Sequence, residues 1–192
     1  GDLDAYLNLH SAKNLAQPFT ADMAVTTTPF TSYTQLEEAF VQIRDFRFLT
    51  DIEHPQSLRR STWLYPDNGC YARADLMVRN MQRFGYPAAS KVFAFGTLAV
   101  ATTNSPNGAV YWWYHVAPIA TVDGEAFVFD PSIHPEAPVA LNDWVASIAS
   151  DTGEVSLAVC HPLSYGPISR CLTATEGGIE RALDDQQDFL AK

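Results

Sequence analysis

Basic residues are scarce in this chain. Lys and Arg total 12 against 22 Asp and Glu, a net charge of −10, which excludes a surface built to hold a phosphate backbone. Long apolar runs are missing too. The most apolar stretch, Ala109 to Val122, is shorter than a membrane-crossing helix and is interrupted by His115 and Pro118. No signal peptide is read, so an export signal either has been removed or is replaced by another route. Cysteine is limited to 3 residues, and no two Cys or His residues show zinc-ligand spacing. A phosphate-binding glycine loop, an internal repeat and a low-complexity segment are also absent.

What is present describes a folded globular protein. Hydrophobic residues make up 47% and charged residues 18%, a balance that disordered chains do not reach. With 192 residues there is material for one domain with a substantial core, and too little for two. The 11 Phe, 8 Tyr and 4 Trp supply a large interior. The odd cysteine count has two readings. Cys160 and Cys171, with Pro162, Gly166 and Pro167 between them, are close enough to clip a loop and leave Cys70 unpaired; alternatively all three are free thiols in a reducing compartment.

The chain is organised around Asp67-Asn68-Gly69-Cys70-Tyr71-Ala72-Arg73-Ala74. Asp-Asn-Gly is turn chemistry, and Pro66 discourages a helix from arriving upstream. Ala74, Met77, Val78, Met81 and Phe84 then recur at helical spacing, Gly85 supplies a left-handed cap, and Pro87 prevents continuation. Cys70 therefore opens a helix, where free backbone N–H groups and the macrodipole favour a thiolate.

Upstream, Asp2 to Leu15 reads as a short helix, and Thr34 to Leu49 as a longer one. In the longer helix Thr34 and Glu37 fit a capping box, and Leu36, Phe40, Ile43 and Phe46 form its inner face. Residues 50–66 read as a loop with the solvated pair Arg59-Arg60. Trp63, just before the cysteine turn, lines a substrate groove or packs as a core indole. Downstream the period changes to two. Val92–Val100, Val110–Thr121 and Glu125–Asp130 read as strands, with turns at Asn104–Gly108 and Asp123-Gly124. A short helix capped by Asn142 contains Trp144, and a terminal helix from Ile179 places Leu183 and Leu190 on one side.

The hairpin predicts a meeting. With Asp123-Gly124 as its loop, His115 faces Ser132, and Asp130, two residues from Ser132, shares a face with His115. Such diagonal neighbours lie about 7–8 Å apart between backbones, within reach of an imidazole and a carboxylate. Pro131 ends the strand just after Asp130. A cysteine at a helix start, followed by a strand histidine and a strand aspartate, is the order used by papain-like and transglutaminase-like enzymes. The Cys70 backbone N–H is the expected oxyanion donor. His54, His134 and His161 each adjoin a proline in loops, and His10 sits in a segment of unclear pattern, so His115 is the base expected.

The segment from Asp67 to Ala74 with Gly85-Tyr86, together with Tyr114-His115-Val116-Ala117, Asp130-Pro131-Ser132, Pro138-Val139 and Trp144, resembles the bacterial protein-glutaminases from about Thr34 to Trp144. The resemblance implies an α+β fold with a papain/transglutaminase-like core, its nucleophile helix packed on an antiparallel sheet. It implies deamidation of protein-bound glutamine by a Cys70, His115 and Asp130 triad, in a secreted enzyme needing no metal or cofactor. Substrates would be proteins or peptides with exposed glutamine, with no role for nucleic acid or membrane; an inhibitory pro-region is a further partner. Trp63, Tyr71 and Tyr114 are expected at the substrate. Residues 1–192 are expected to form a single catalytic domain: 1–30 an N-terminal extension or pro-segment remnant, about 34–150 the core, and 151–192 a C-terminal segment. The competing readings are a transglutaminase or cysteine protease of the same fold, an effector or toxin directed at one host protein, and an inactive binding module.

Overall fold

The computed structural model describes residues 9–175 and 177–190. A short helix α1 (Ala12–Leu15) and edge strand β1 (Gln17–Pro18) lead to helix α2 (Tyr33–Asp45) and a small hairpin, β2 (Leu49–Thr50) with β3 (Leu58–Arg59). Helix α3 (Cys70–Arg83) follows, then the long strands β4 (Ser90–Ala101) and β5 (Ala109–Val122). β6 (Glu125–Val128), β7 (Val139–Ala140), helix α4 (Leu141–Ile148), β8 (Ser156–Cys160) and helix α5 (Gly178–Leu190) complete the chain. The main sheet is antiparallel, ordered β1-β8-β4-β5-β6-β7.

Alternation along the central strands gives the sheet two buried faces. Val92, Ala94, Leu98, Ala117 and Ile119 pack with Trp144, Val145 and Ile148 of α4. Phe93, Phe95 and Val116 face the other way, against Cys70 and Ala74 at the start of α3. Farther along α3, Met77, Val78 and Met81 meet Leu36, Phe40 and Ile43 of α2. Helix α3 is thus held between the sheet and α2. Its end is the one the pattern requires: Gly85 is left-handed at φ 78, and the Tyr86 N–H reaches back to the Met81 carbonyl at 3.0 Å.

The hairpin has the expected register. Val122 pairs with Glu125 and Ile119 with Val128, while Asp123 and Gly124 take φ 52 and 77 as a two-residue primed turn demands. The strand ends at Val128, two residues before the expected Asp130. Phe129 donates its N–H to the Pro118 carbonyl at 2.9 Å, but proline has no N–H to return, and the ladder stops there.

Other boundaries shift for equally local reasons. Ser32, not Thr34, caps α2: its hydroxyl accepts the Gln35 N–H at 3.1 Å, while the Gln35 side chain takes the Thr31 N–H at 2.8 Å. Phe46 is extended beyond the helix end. Asn142 lies inside α4 and donates to the Ala21 carbonyl instead of capping. The inner face of α5 is Ala182, Gln186 and Phe189, with Leu183 and Leu190 at its margin. Of the expected first helix, residues 2–8 lie outside the described residues.

The tail contributes more than its sequence advertises. β8 pairs with the middle of β4, from Phe95↔Ser156 to Lys91↔Cys160. The Cys160–Cys171 disulfide closes the following loop, with Cα atoms 4.6 Å apart. A buried ionic knot joins the layers: Lys91 Nζ bonds Asp75 Oδ1 at 3.0 Å and the Ser164 carbonyl at 2.8 Å, and Arg79 takes Asp75 Oδ2 at 2.7 Å. Burial brings the Lys91 ammonium down to about 8.

Candidate active site

Gly69 makes the approach to Cys70. Its φ of 82 suits glycine, and a Cβ there would lie 2.5 Å from the Phe189 ring. Arg73, one turn into α3, braces the same loop from inside. Buried to 2% exposure, it donates through Nη1 to the carbonyls of Tyr65 at 3.0 Å and Asn68 at 2.7 Å. Cys70 is the free cysteine among the described residues and is itself buried.

His115 comes from β5, where the sheet is irregular. The β4–β5 register slips by one residue between Phe95 and Leu98, around Gly96, a bulge of the kind that re-aims side chains. Trp112, three positions before His115, stacks on the imidazole at 4.3 Å. His115 Nε2 lies 2.7 Å from Asp130 Oδ2, and Trp144 donates its indole N–H to the same oxygen at 2.9 Å. Nε2 is thereby committed to the carboxylate. Nδ1 has no hydrogen-bond partner in the protein, and the imidazole and the Cys70 thiol act on each other's protonation.

Burial opposes every charge here, and the neighbours override it. Burial would raise the Cys70 thiol, but the hydrogen bond and charge of His115, the Arg73 charge and the Val116 N–H bring it below its ordinary value. Burial would lower His115, but the Asp130 charge and hydrogen bond, followed by Cys70, raise it to about 9. Burial would raise Asp130, but chiefly the His115 charge, then its hydrogen bond and that of Trp144, lower it. The neighbours thus work toward a thiolate, an imidazolium and a carboxylate against the cost of burial. The Tyr114 hydroxyl is raised by burial and by its charge interaction and hydrogen bond with Cys70.

Cys70, His115 and Asp130 thus come together, with Tyr114 at the sulfur. Tyr71 sits edge-on to Tyr165 at 5.4 Å, and burial lifts its hydroxyl to about 12. Trp63 packs in the core with Phe30, Phe40 and Met77, donates to the Arg44 carbonyl at 2.8 Å, and also contributes to the lining of the groove near Tyr65. Sequence reasoning assigned no site role to Arg73, Trp112 or Trp144. The i, i+3 spacing of Cys70 and Arg73 on one helix was the available signal for the first.

A helix opening at Cys70 and packed on an antiparallel sheet, with His115 on a central strand, is the arrangement of the papain/transglutaminase-like class. Residues 36–148, more than half of the chain, match the family described as glutaminase, and the chain belongs to that family. A solution structure of protein-glutaminase from Chryseobacterium proteolyticum superimposes with TM-score 0.63 at 24% identity, covering 87% of this chain and 89% of that one. A crystal structure of protein-glutaminase gives 0.61 at 25% identity with the same coverages. A crystal structure of pro-protein-glutaminase gives 0.64 at 24% identity over 98% of this chain, which spans 65% of that longer one. No curated protein sequence matches the chain.

Proposed function

We propose that the protein deamidates glutamine side chains in proteins or peptides, with Cys70 as nucleophile, His115 as acid and base, and Asp130 as the group orienting His115. The observation that carries this reading is the buried His115, tied to Asp130 through Nε2, its Nδ1 without a protein partner and its protonation linked to that of Cys70. The Cys70 thiolate attacks the carboxamide carbon, and the oxyanion is held by the Cys70 N–H at the helix start. The intermediate collapses as the C–N bond breaks and the His115 imidazolium protonates the departing nitrogen, giving ammonia and a thioester. Water then adds to the thioester, its proton passing to His115, and glutamate leaves as the thiolate is restored. Tyr71 and Tyr114 flank the acceptor carbon.

Residues 1–192 act as one catalytic unit in this reading. Support comes from β8, which lies beyond the family match yet pairs with central strand β4. A pro-form among the solved relatives supports an inhibitory pro-region as partner. The disulfide favours an oxidising, extracellular setting, and no described helix is long and apolar enough to cross a membrane. Ammonia release from a glutamine-containing protein, with and without an added primary amine, is the test. Hydrolysis predicts ammonia with glutamate as product in both cases. Amine incorporation in place of glutamate would identify a transglutaminase, and backbone cleavage without ammonia a protease.

A further inference from the structure

A groove of about 900 Å³ opens beside the nucleophile turn. Its lining combines the basic Arg47, Arg59 and Arg60 with Leu64, Tyr65 and Phe189, which supply apolar surface. Asp51 is the acidic side chain in the lining, so the groove carries a surplus of positive charge on a chain of net charge −10. Four of the 12 basic residues, Arg44, Arg47, Arg59 and Arg60, fall between positions 44 and 60. Their carboxylates are shared. Asp45 serves both Arg44 and Arg60, and Asp51 serves both Arg59 and His54. Arg47 bonds a backbone carbonyl, that of Leu58, at 3.5 Å.

The groove reaches toward the site. Phe189 in its wall lies against Gly69, and Ser105, between the lining residues Asn104 and Pro106, bonds Asp67 at 3.3 Å. Tyr65 and Cys70 are five residues apart, so their Cα atoms lie within roughly 18 Å, the span of about five extended residues. We propose that this groove is a docking site for an acidic, partly apolar segment of the protein substrate lying about five residues from the target glutamine. The proposal rests on the deamidase reading and adds the class of substrate it selects.

Binding can be read without turnover. A fluorescent peptide of Asp, Glu and Leu lacking glutamine should raise anisotropy with wild-type protein far more than a neutral peptide of the same length. Binding should weaken by 10-fold or more from low to physiological salt, and in Arg47→Ala/Arg60→Ala. Equal binding of the two peptides, or binding indifferent to both salt and the double substitution, would overturn the proposal. Deamidation of a short neutral glutamine peptide, unchanged in the double variant, shows that the variant is folded. If that peptide were not deamidated even by wild type, the deamidase reading would fail while the binding result stood by itself. A kcat/KM advantage for a glutamine peptide carrying the acidic segment, lost in the double variant, completes the expected result. An advantage retained there would contradict it.

Discussion

His115 is tied to Asp130 through Nε2 and is raised by the charges of Asp130 and Cys70, and those interactions set the pH behaviour expected of the enzyme. The raised imidazolium is kept up to about 9 and lost above it, so activity should fall on that alkaline limb. The lowered Cys70 places the acid limb below the ordinary thiol range. Asp130→Asn removes the largest influence raising His115, so the alkaline limb of a kcat/KM profile should move to lower pH. Turnover should drop on the order of 10- to 1000-fold, between the serine-protease loss and the tolerance of papain-like enzymes for Asn. Asp123→Asn, in the hairpin turn, should leave both unchanged. At this scale the three central residues were legible because a turn, a period change and a hairpin loop fixed where each would lie. Arg73 and Trp144 were not, because a charged residue on an apolar helix and an indole beyond a proline-rich loop reveal their partners only when the layers close.

Helix α3 depends on what packs against each of its ends. At the start, Gly69→Ala would force a side chain into a left-handed residue and against the Phe189 ring. The conformational part alone costs about 1–2 kcal/mol, and urea unfolding should show at least that loss. In the middle, Lys91→Met would leave Asp75 buried with Arg79 as its remaining cation. Breaking a buried pair costs about 3–5 kcal/mol; with Arg79 still in place the unfolding free energy should fall by about 3. The long elements α3, β4 and β5 were read correctly from periodicity because each buries a continuous stripe or face. Strand β8 was not, since five residues carry too little alternation to stand out, and its place beside β4 depends on pairing across more than fifty positions.

Over the whole molecule, the Cys160–Cys171 bridge fixes the loop that follows β8, and its backbone holds the N-terminal segment: Lys13 donates to the Pro167 carbonyl at 2.9 Å, and Cys171 to that of His10 at 3.0 Å. Denaturing thiol titration without reductant should find one thiol per chain, that of Cys70. Reduction should destabilise the fold by about 3 kcal/mol on the chain-entropy account. Three thiols before reduction would contradict the bridge. The central claim concerns the nucleophile, and the most direct measurement is ammonia release from a glutamine-rich protein by wild type and by Cys70→Ala, at equal concentration and with circular dichroism matched. The account predicts steady ammonia production, with glutamine converted to glutamate, by wild type and only the enzyme-free background from Cys70→Ala. Ammonia release by the alanine variant at a rate near that of wild type would contradict it.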